Sequence, residues 1–301
     1  MTRFIKDKKI GETIIISLVR VSGYSAIVFV LMIFYFLLSE GLPTFVKVPI
    51  SSLISSIWYP IEAYYGLLPL LGGSIIVTFG AALVAIPIGI LTAVYIAEVA
   101  PSSTREILKP LIEVLAGLPS VLLGFLGILI LVPYLRQVLN LPTGLVALTG
   151  SILLAGIAIP TIVSISEDAL YSVPRSYRDA ALALGATEWQ TIWKVTLPAA
   201  RNGVLTAVML GIGRTFGETM AVMMVTGNAP VLPTNPTYLF SPVRTMTATI
   251  AAEMGEVARG SDHYNVLFLI GIILFLITLI INIIASAVVF RQRKRQERIL
   301  S

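Results

Sequence analysis

The sequence predicts an all-α, polytopic membrane protein with six transmembrane helices and both termini cytoplasmic. Three observations carry that expectation. The 301 residues are 56% hydrophobic and only 12% charged, about half the charge of an ordinary soluble domain. The apolar residues gather into uncharged runs of the length a bilayer core demands, about 20 residues. Lys and Arg concentrate in alternate connecting segments, as they do when positive flanks are retained in the cytoplasm. This composition excludes a disordered chain, a secreted disulfide scaffold and a nucleic-acid-binding module, so no nucleic-acid partner is expected. There is no cysteine and one histidine, His263, which excludes cysteine-ligated metals and argues against a multi-histidine site.

The first span is read at residues 21–39, after a charged tail, 1–20, that lacks a small-residue cleavage site. The second covers 66–97, with Pro69 placed to begin a helix and Pro87 to kink it, so a long, bent or tilted span is expected. A third lies within 107–132, interrupted by Gly117, Leu118 and Pro119. The fourth covers 143–166 with Pro160 near its end, the fifth 203–225 and the sixth 266–290. Alternation at period two is absent, which argues against a transmembrane barrel. One transmembrane unit, 21–290, is expected between the tail 1–20 and a second cytoplasmic tail, 291–301.

Orientation follows from the basic residues. The N-terminal tail holds Arg3, Lys6, Lys8 and Lys9, and the loop after span two holds Arg105 and Lys109. The loop after span four holds Arg175, Arg178, Lys194 and Arg201, and the tail Arg291, Arg293, Lys294, Arg295 and Arg298. The other loops carry only Lys47, Arg136, Arg244 and Arg259, so both termini belong inside. The tail run RQRKRQER reads as a stop-transfer anchor. The outside loops 40–65 and 227–264, with their Pro, Ser, Thr, Tyr and Trp, suit short surface structure that meets an external partner. Arg244 and His263 in these loops are expected to contact solvent or a binding protein.

The cytoplasmic segment 167–201 is richer than a linker. A helix is expected over 174–184, with Gly185 as its C-terminal cap, Thr187 as the next N-cap and Pro198 ending a second short helix. Ala180, Ala181 and Ala183 leave room for another protein, and Trp189, Ile192 and Trp193 can face membrane or neighbouring spans. Composition alone leaves open an interfacial amphipathic hairpin anchored by its tryptophans.

Span five carries two charges, Arg214 and Glu218, four residues apart and so on one face of an unbroken helix. Each charge near the bilayer centre costs roughly 2.5–3.5 kcal/mol, so such residues pair, face a cavity or carry function. In a helix begun at Val204, Arg214 lies about 15 Å along the axis, near the midplane of a core about 30 Å thick. Its planar fork suits a tetrahedral oxyanion, and Glu218 would hold the fork and moderate its field so that the anion leaves again. The alternative is a structural pair locking two helices. Gly211, Gly213 and Gly217 allow close packing or bring N–H groups to a path. Gly117, Leu118, Pro119 and Ser120 either aim a half-helix N-terminus at an anion or make a plain proline kink.

The spacing of Asp179, Ala180 and Ala181, three residues, Gly185, nine residues, Val195, one residue, Leu197 and Pro198 resembles the EAA-x3-G-x9-I-x-L-P loop of ABC importer permeases. It departs by Asp for Glu and Val for Ile. Together with AGLPSVLLGFLG at 116–127, GRTFGETMAV, SEGLPTF and YGLLPLLGGSIIVTFG, the chain resembles the phosphate-specific members, the PstC-type subunits, over nearly its whole length. The resemblance implies the type I importer permease fold, and a docking role for the loop in a cleft of an ATP-binding subunit. It also implies that Arg214 and Glu218 take part in phosphate passage. The implied partners are a PstA-type permease, two PstB-type ATP-binding subunits, a PstS-type external phosphate-binding protein and membrane lipid. With no G-x4-GK[ST] loop in the sequence, the chain is expected to be no enzyme and to bind no cofactor, ATP and Mg being used by the partner. Two other readings stay open here: an ion-coupled carrier using Arg214 and Glu218 as a charge relay, and a permease of the same architecture for sulfate or molybdate.

Overall fold

The computed structural model describes residues 2–300, with side chains for residues 15–235, 237–284 and 287. The basic side chains of Arg3, Lys6, Lys8 and Lys9, and of Arg291, Arg293, Lys294, Arg295 and Arg298, lie outside that set. The chain opens with α1 (Thr2–Gly41), followed by two single turns, α2 (Thr44–Lys47) and α3 (Ile50–Leu53). A two-stranded antiparallel ribbon, β1 (Trp58–Tyr59) and β2 (Tyr64–Tyr65), pairs Trp58 with Tyr65. Then come α4 (Leu68–Val94), α5 (Ser102–Ala116), α6 (Ser120–Leu126), α7 (Val132–Val138) and α8 (Ala147–Tyr171). A short pair, α9 (Arg175–Ala183) and α10 (Glu188–Thr191), leads into α11 (Leu197–Phe216), α12 (Met220–Val225), α13 (Met246–Glu253) and α14 (Asp262–Leu300). Single π-turns at Tyr95–Val99, Gly127–Leu131 and Ile192–Thr196 continue α4, join α6 to α7 and join α10 to α11.

Among the described residues six helical stretches are long and apolar enough to cross a membrane: Ile15–Lys47, Leu68–Val99, Ser120–Val138, Ala147–Tyr171, Glu188–Phe216 and Asp262–Ile284. The number agrees with the sequence reading; the bounds shift, most in the third and fifth spans. The third span begins at Ser120 rather than near residue 107, because α5 ends at Ala116 and the backbone is extended at Pro119, with ψ 131°. The segment before it is a separate amphipathic helix, α5, in which Arg105, Glu106, Lys109 and Glu113 are interleaved with Ile107, Leu111 and Val114 and no residue is buried. The fifth span is continuous back to Glu188 and ends at Phe216, so it lies earlier in the chain than expected. Pro69 does sit in the first turn of α4, where its missing N–H is harmless, and the helix runs on through Pro87.

The bundle is built around α8, which packs against α4 and α11 and buries more of its apolar window than any other span. Its Ile162, fully buried, fills notches in both neighbours. A Cβ on Gly89 of α4 would stand 2.7 Å from Ile162 Cγ2, and one on Gly211 of α11 would stand 2.6 Å from Cγ1. Between lipid-soluble helices such small-residue contacts replace the hydrophobic drive available in water. Ser151 adds a polar tie, donating to Val77 O across the α4–α8 interface at 3.1 Å. By contrast α1 buries none of its apolar window and meets the rest chiefly through α14, with Phe34 stacked on Phe275 at 4.8 Å. The loops therefore fall into two sets. One set, with the ribbon and α13, forms the ribbon face; the other, with α5, α9 and α10, forms the opposite loop face.

Candidate functional site

Two interruptions of the helical backbone meet within the bundle. Pro119, at φ −59° and ψ 131°, lies between α5 and α6 and precedes Ser120, the first residue of α6. Gly117 itself keeps an ordinary αR conformation, and a Cβ there would meet nothing closer than 3.5 Å, so the proline makes the break. The second interruption is at 217–219, between α11 and α12. Arg214, in the last turn of α11, bridges the two. Its Nη2 donates to the carbonyl of Ala116, the last residue of α5, at 3.3 Å, and its Nη1 donates to Thr161 Oγ1 of α8 at 3.2 Å. Both acceptors are neutral, and the side chain is exposed on this chain.

Glu218 does not pair with Arg214. The expectation of a shared face required an unbroken helix, and α11 stops at Phe216. The Glu218 carboxylate instead turns onto its own backbone, where Oε1 accepts from the N–H groups of Thr219 at 3.2 Å and Ala221 at 3.3 Å. This satisfies orphan donors at the start of α12, as an N-capping carboxylate does. Thr247 of α13 donates to the Glu218 carbonyl at 3.0 Å, so the break is also tied to the ribbon face. Of the three glycines singled out in this segment, Gly211 packs on Ile162, whereas Gly213 has open space.

On the loop face, α9 carries Asp179 and Ala180 exposed, while Ala181 is buried against this chain rather than offered to another. Gly185 follows at φ +85°, and the Ala186 N–H to Ala181 O and Gly185 N–H to Leu182 O bonds, 3.1 and 2.9 Å, close the helix end. Thr187 caps α10 reciprocally with Gln190. Pro198 does not end a helix as expected. It occupies the first turn of α11, and the π-turn holding Val195 widens the chain immediately ahead of it, removing the usual proline clash with the preceding turn. Leu197 is half-buried and Pro198 exposed. Trp189 is exposed, while Ile192 is buried and Trp193 partly so.

Sequence reasoning missed the ties that hold this face to the spans. Arg178 forms a two-pronged pair with Glu98 at the foot of α4. Lys109 of α5 donates to Glu167 at 2.8 Å and to Asp168 at 3.1 Å, and the hydrogen bond to Glu167 leads the causes that hold its pKa above the ordinary value. Glu98 and Glu167 could have been flagged as carboxylates at the margins of uncharged runs. Their partners lie 80 and 58 positions away, a separation that no periodicity spans.

The ribbon face corrects a further expectation. Arg244 and His263 are turned inward, 16% and 21% exposed, onto opposite oxygens of Glu253 at 2.8 Å each. Trp58 Nε1 of the ribbon adds a third donor to Glu253 at 3.2 Å. Burial alone would raise the Glu253 pKa, but the His263 hydrogen bond and the Arg244 charge outweigh it and hold the carboxyl below its usual range.

Residues 85–295 match the family of the binding-protein-dependent transport system inner membrane component. The chain belongs to this family. The probable ABC transporter permease protein YqgH of Bacillus subtilis is 44% identical over 244 residues, covering 79% of this chain and 78% of that one. The phosphate transport system permease protein PstC of Pasteurella multocida is 34% identical over 260 residues, 80% of each chain. PstC of Mesorhizobium japonicum is 35% identical over 260 residues, 80% of this chain and 78% of that one. Among solved structures, an inward-facing MetNI methionine ABC transporter superposes with a TM-score of 0.56 at 18% identity, covering 78% of this chain and 99% of that one. A bacterial alginate ABC transporter gives 0.56 at 15% identity, covering 87% and 91%. The chain is thus a multi-pass ABC transporter permease, homologous to the PstC permeases and with the ABC importer permease fold.

Proposed function

We propose that this permease carries inorganic phosphate inward as part of an ATP-driven importer. The observation that carries the reading is the condition of Arg214: an arginine in a membrane bundle, held at the meeting of two backbone breaks, among the described residues, by neutral oxygens only. Two guanidinium contacts to neutral acceptors leave its full charge for a ligand, and a planar fork matches two oxygens of a tetrahedral anion. Relatives named as phosphate permeases support phosphate as that anion. Gly117, Pro119 and Ser120 form the other wall of the path, where the proline frees the Ala116 carbonyl to orient Arg214 and exposes the first N–H groups of α6. Glu218 acts indirectly, by fixing the geometry of the break beside Arg214.

Both termini and the loop face are cytoplasmic in this reading, and the ribbon face meets a PstS-type phosphate-binding protein. The segment 167–201, with Asp179, Ala180, Ala181, Gly185, Val195, Leu197 and Pro198, engages one of two PstB-type ATP-binding subunits, which bind ATP and Mg; this chain makes and breaks no covalent bond. A PstA-type permease completes the path against the exposed side of Arg214, and lipid surrounds α1. Closure of the ATP-binding subunits displaces α9 and opens the path to the ribbon face. Phosphate passes from its binding protein to Arg214, and hydrolysis returns the path to the loop face.

The reading is tested by uptake of labelled phosphate into vesicles holding the assembled complex. ATP-dependent uptake that resists excess sulfate is expected; uptake without ATP, or loss to sulfate or molybdate, contradicts it. Gly185→Trp places a bulky side chain in open space, where it obstructs docking; because φ +85° also strains any non-glycine residue, Gly185→Ala, with the same strain and no bulk, is the folding control. The Gly185→Trp chain should insert normally and fail to co-purify with the ATP-binding subunit.

A further inference from the structure

Two arginines from different elements converge on one helical turn. The π-turn Tyr95–Val99 closes the loop-face end of span two. Arg105 of α5 donates Nε to Ile96 O at 2.9 Å and Nη2 to Ala97 O at 2.6 Å. Arg178 of α9 grips the same turn through Glu98, Nη2 to Oε1 at 2.5 Å and Nε to Oε2 at 3.1 Å. The other Arg178 bonds run to Val173 O at 2.8 Å and Leu170 O at 3.1 Å, at and beyond the end of α8. The Glu98 side chain is 8% exposed, and a shielded bidentate pair of this kind fixes orientation as well as distance.

From Arg105, α5 runs unbroken to Ala116, eleven residues further on and about 16 Å away along the axis. Pro110 lies inside it and would weaken it as a lever. The adjacent Lys109, clamped to Glu167 and Asp168 of α8, braces that point. The far end of α5 presents the Ala116 carbonyl to Arg214. A continuous series of charge-assisted contacts and one braced helix therefore leads from α9 to the arginine. The covalent route from α9 to α11 passes the Gly185 turn and the π-turn Ile192–Thr196.

We propose that Arg105, Arg178 and Glu98 are positioning residues that join α9, the π-turn, α5 and the loop-face end of α8 into one rigid body, so that movement of α9 displaces the Ala116 carbonyl and resets Arg214. This deepens the function proposed above and rests on Arg214 lying on the anion path. Energy from the loop face then reaches the anion through the helix facing Arg214 rather than through the helix that bears it.

The chain has no cysteine, so Ser176→Cys and Val114→Cys, both exposed on α9 and α5, accept two spin labels without background. In the assembled complex the label separation should be the same without nucleotide and with ATP bound. In Arg178→Gln and Glu98→Gln it should change between those states. The same variants should hydrolyse ATP but move about tenfold less phosphate per ATP, the worth of one charged hydrogen bond. The swap Glu98→Arg, Arg178→Glu should recover part of that ratio. A purely structural role would lower assembly, hydrolysis and uptake together and leave the ratio alone. A label separation that changes with nucleotide in the otherwise unaltered chain overturns the proposal, as does an unchanged ratio in Arg178→Gln, Glu98→Gln and Arg105→Gln. If the separation holds and the ratio falls while Arg214→Met still transports phosphate, the rigid body stands and the role given to Arg214 fails.

Discussion

Arg244 and Arg214 differ in what neutralises them. Arg244, at the ribbon face, is enclosed with Glu253, whose carboxylate also takes His263 and Trp58. Among the described residues Arg214 has only a backbone carbonyl and a threonine hydroxyl, and it lies exposed on this chain. A charge matched by its own chain stabilises loops; a charge left to neutral oxygens keeps its field for something that arrives.

The contrast can be broken by substitution. Arg214→Met should reduce phosphate uptake about 100-fold or more, the worth of two charged hydrogen bonds to the anion, with little change in melting temperature. Arg214→Lys, a point charge without the fork, should fall between the two. Glu253→Gln should act the other way, lowering stability by about 2 kcal/mol because Arg244 loses its counter-ion in a shielded site. A lower melting temperature of the purified chain checks this, while complexes that remain folded should still transport.

Acid should sharpen the contrast more gently. Because the Glu253 carboxyl is held below its usual value, the unfolded chain takes up that proton first as the pH falls. Its contribution is complete above about pH 4.5 and is lost progressively as the pH drops through the depressed folded value. Melting temperature followed from pH 6 downward should therefore fall less steeply in Glu253→Gln than in the unaltered chain.

The legible parts of the molecule are those encoded by neighbours in sequence. Six spans follow from uncharged runs, Gly185 and Thr187 from local capping chemistry, and the break at Pro119 from a missing N–H. Errors arose where the backbone changed register. Arg214 and Glu218 read as one face because Gly217 offered no signal strong enough to end the helix, and Pro198 read as a terminator because a π-turn leaves no mark in the composition. The apolar residues of α5 run on towards those of span three, so only its four charges, Arg105, Glu106, Lys109 and Glu113, mark it off as a separate amphipathic helix. Glu98 with Arg178, and Arg244 with His263 on Glu253, were illegible for another reason: partners brought together by folding have no spacing rule. What marks Arg214 is likewise tertiary, since the sequence gives its charge but not the neutrality of its acceptors.

The most direct test compares Arg214→Met with Arg244→Met in the same vesicles, measuring ATP-driven uptake of labelled phosphate and thermal melting together. The account predicts that Arg214→Met melts like the unaltered chain but does not transport, and that Arg244→Met melts earlier yet transports while folded. Normal uptake by a well-folded Arg214→Met complex would contradict it.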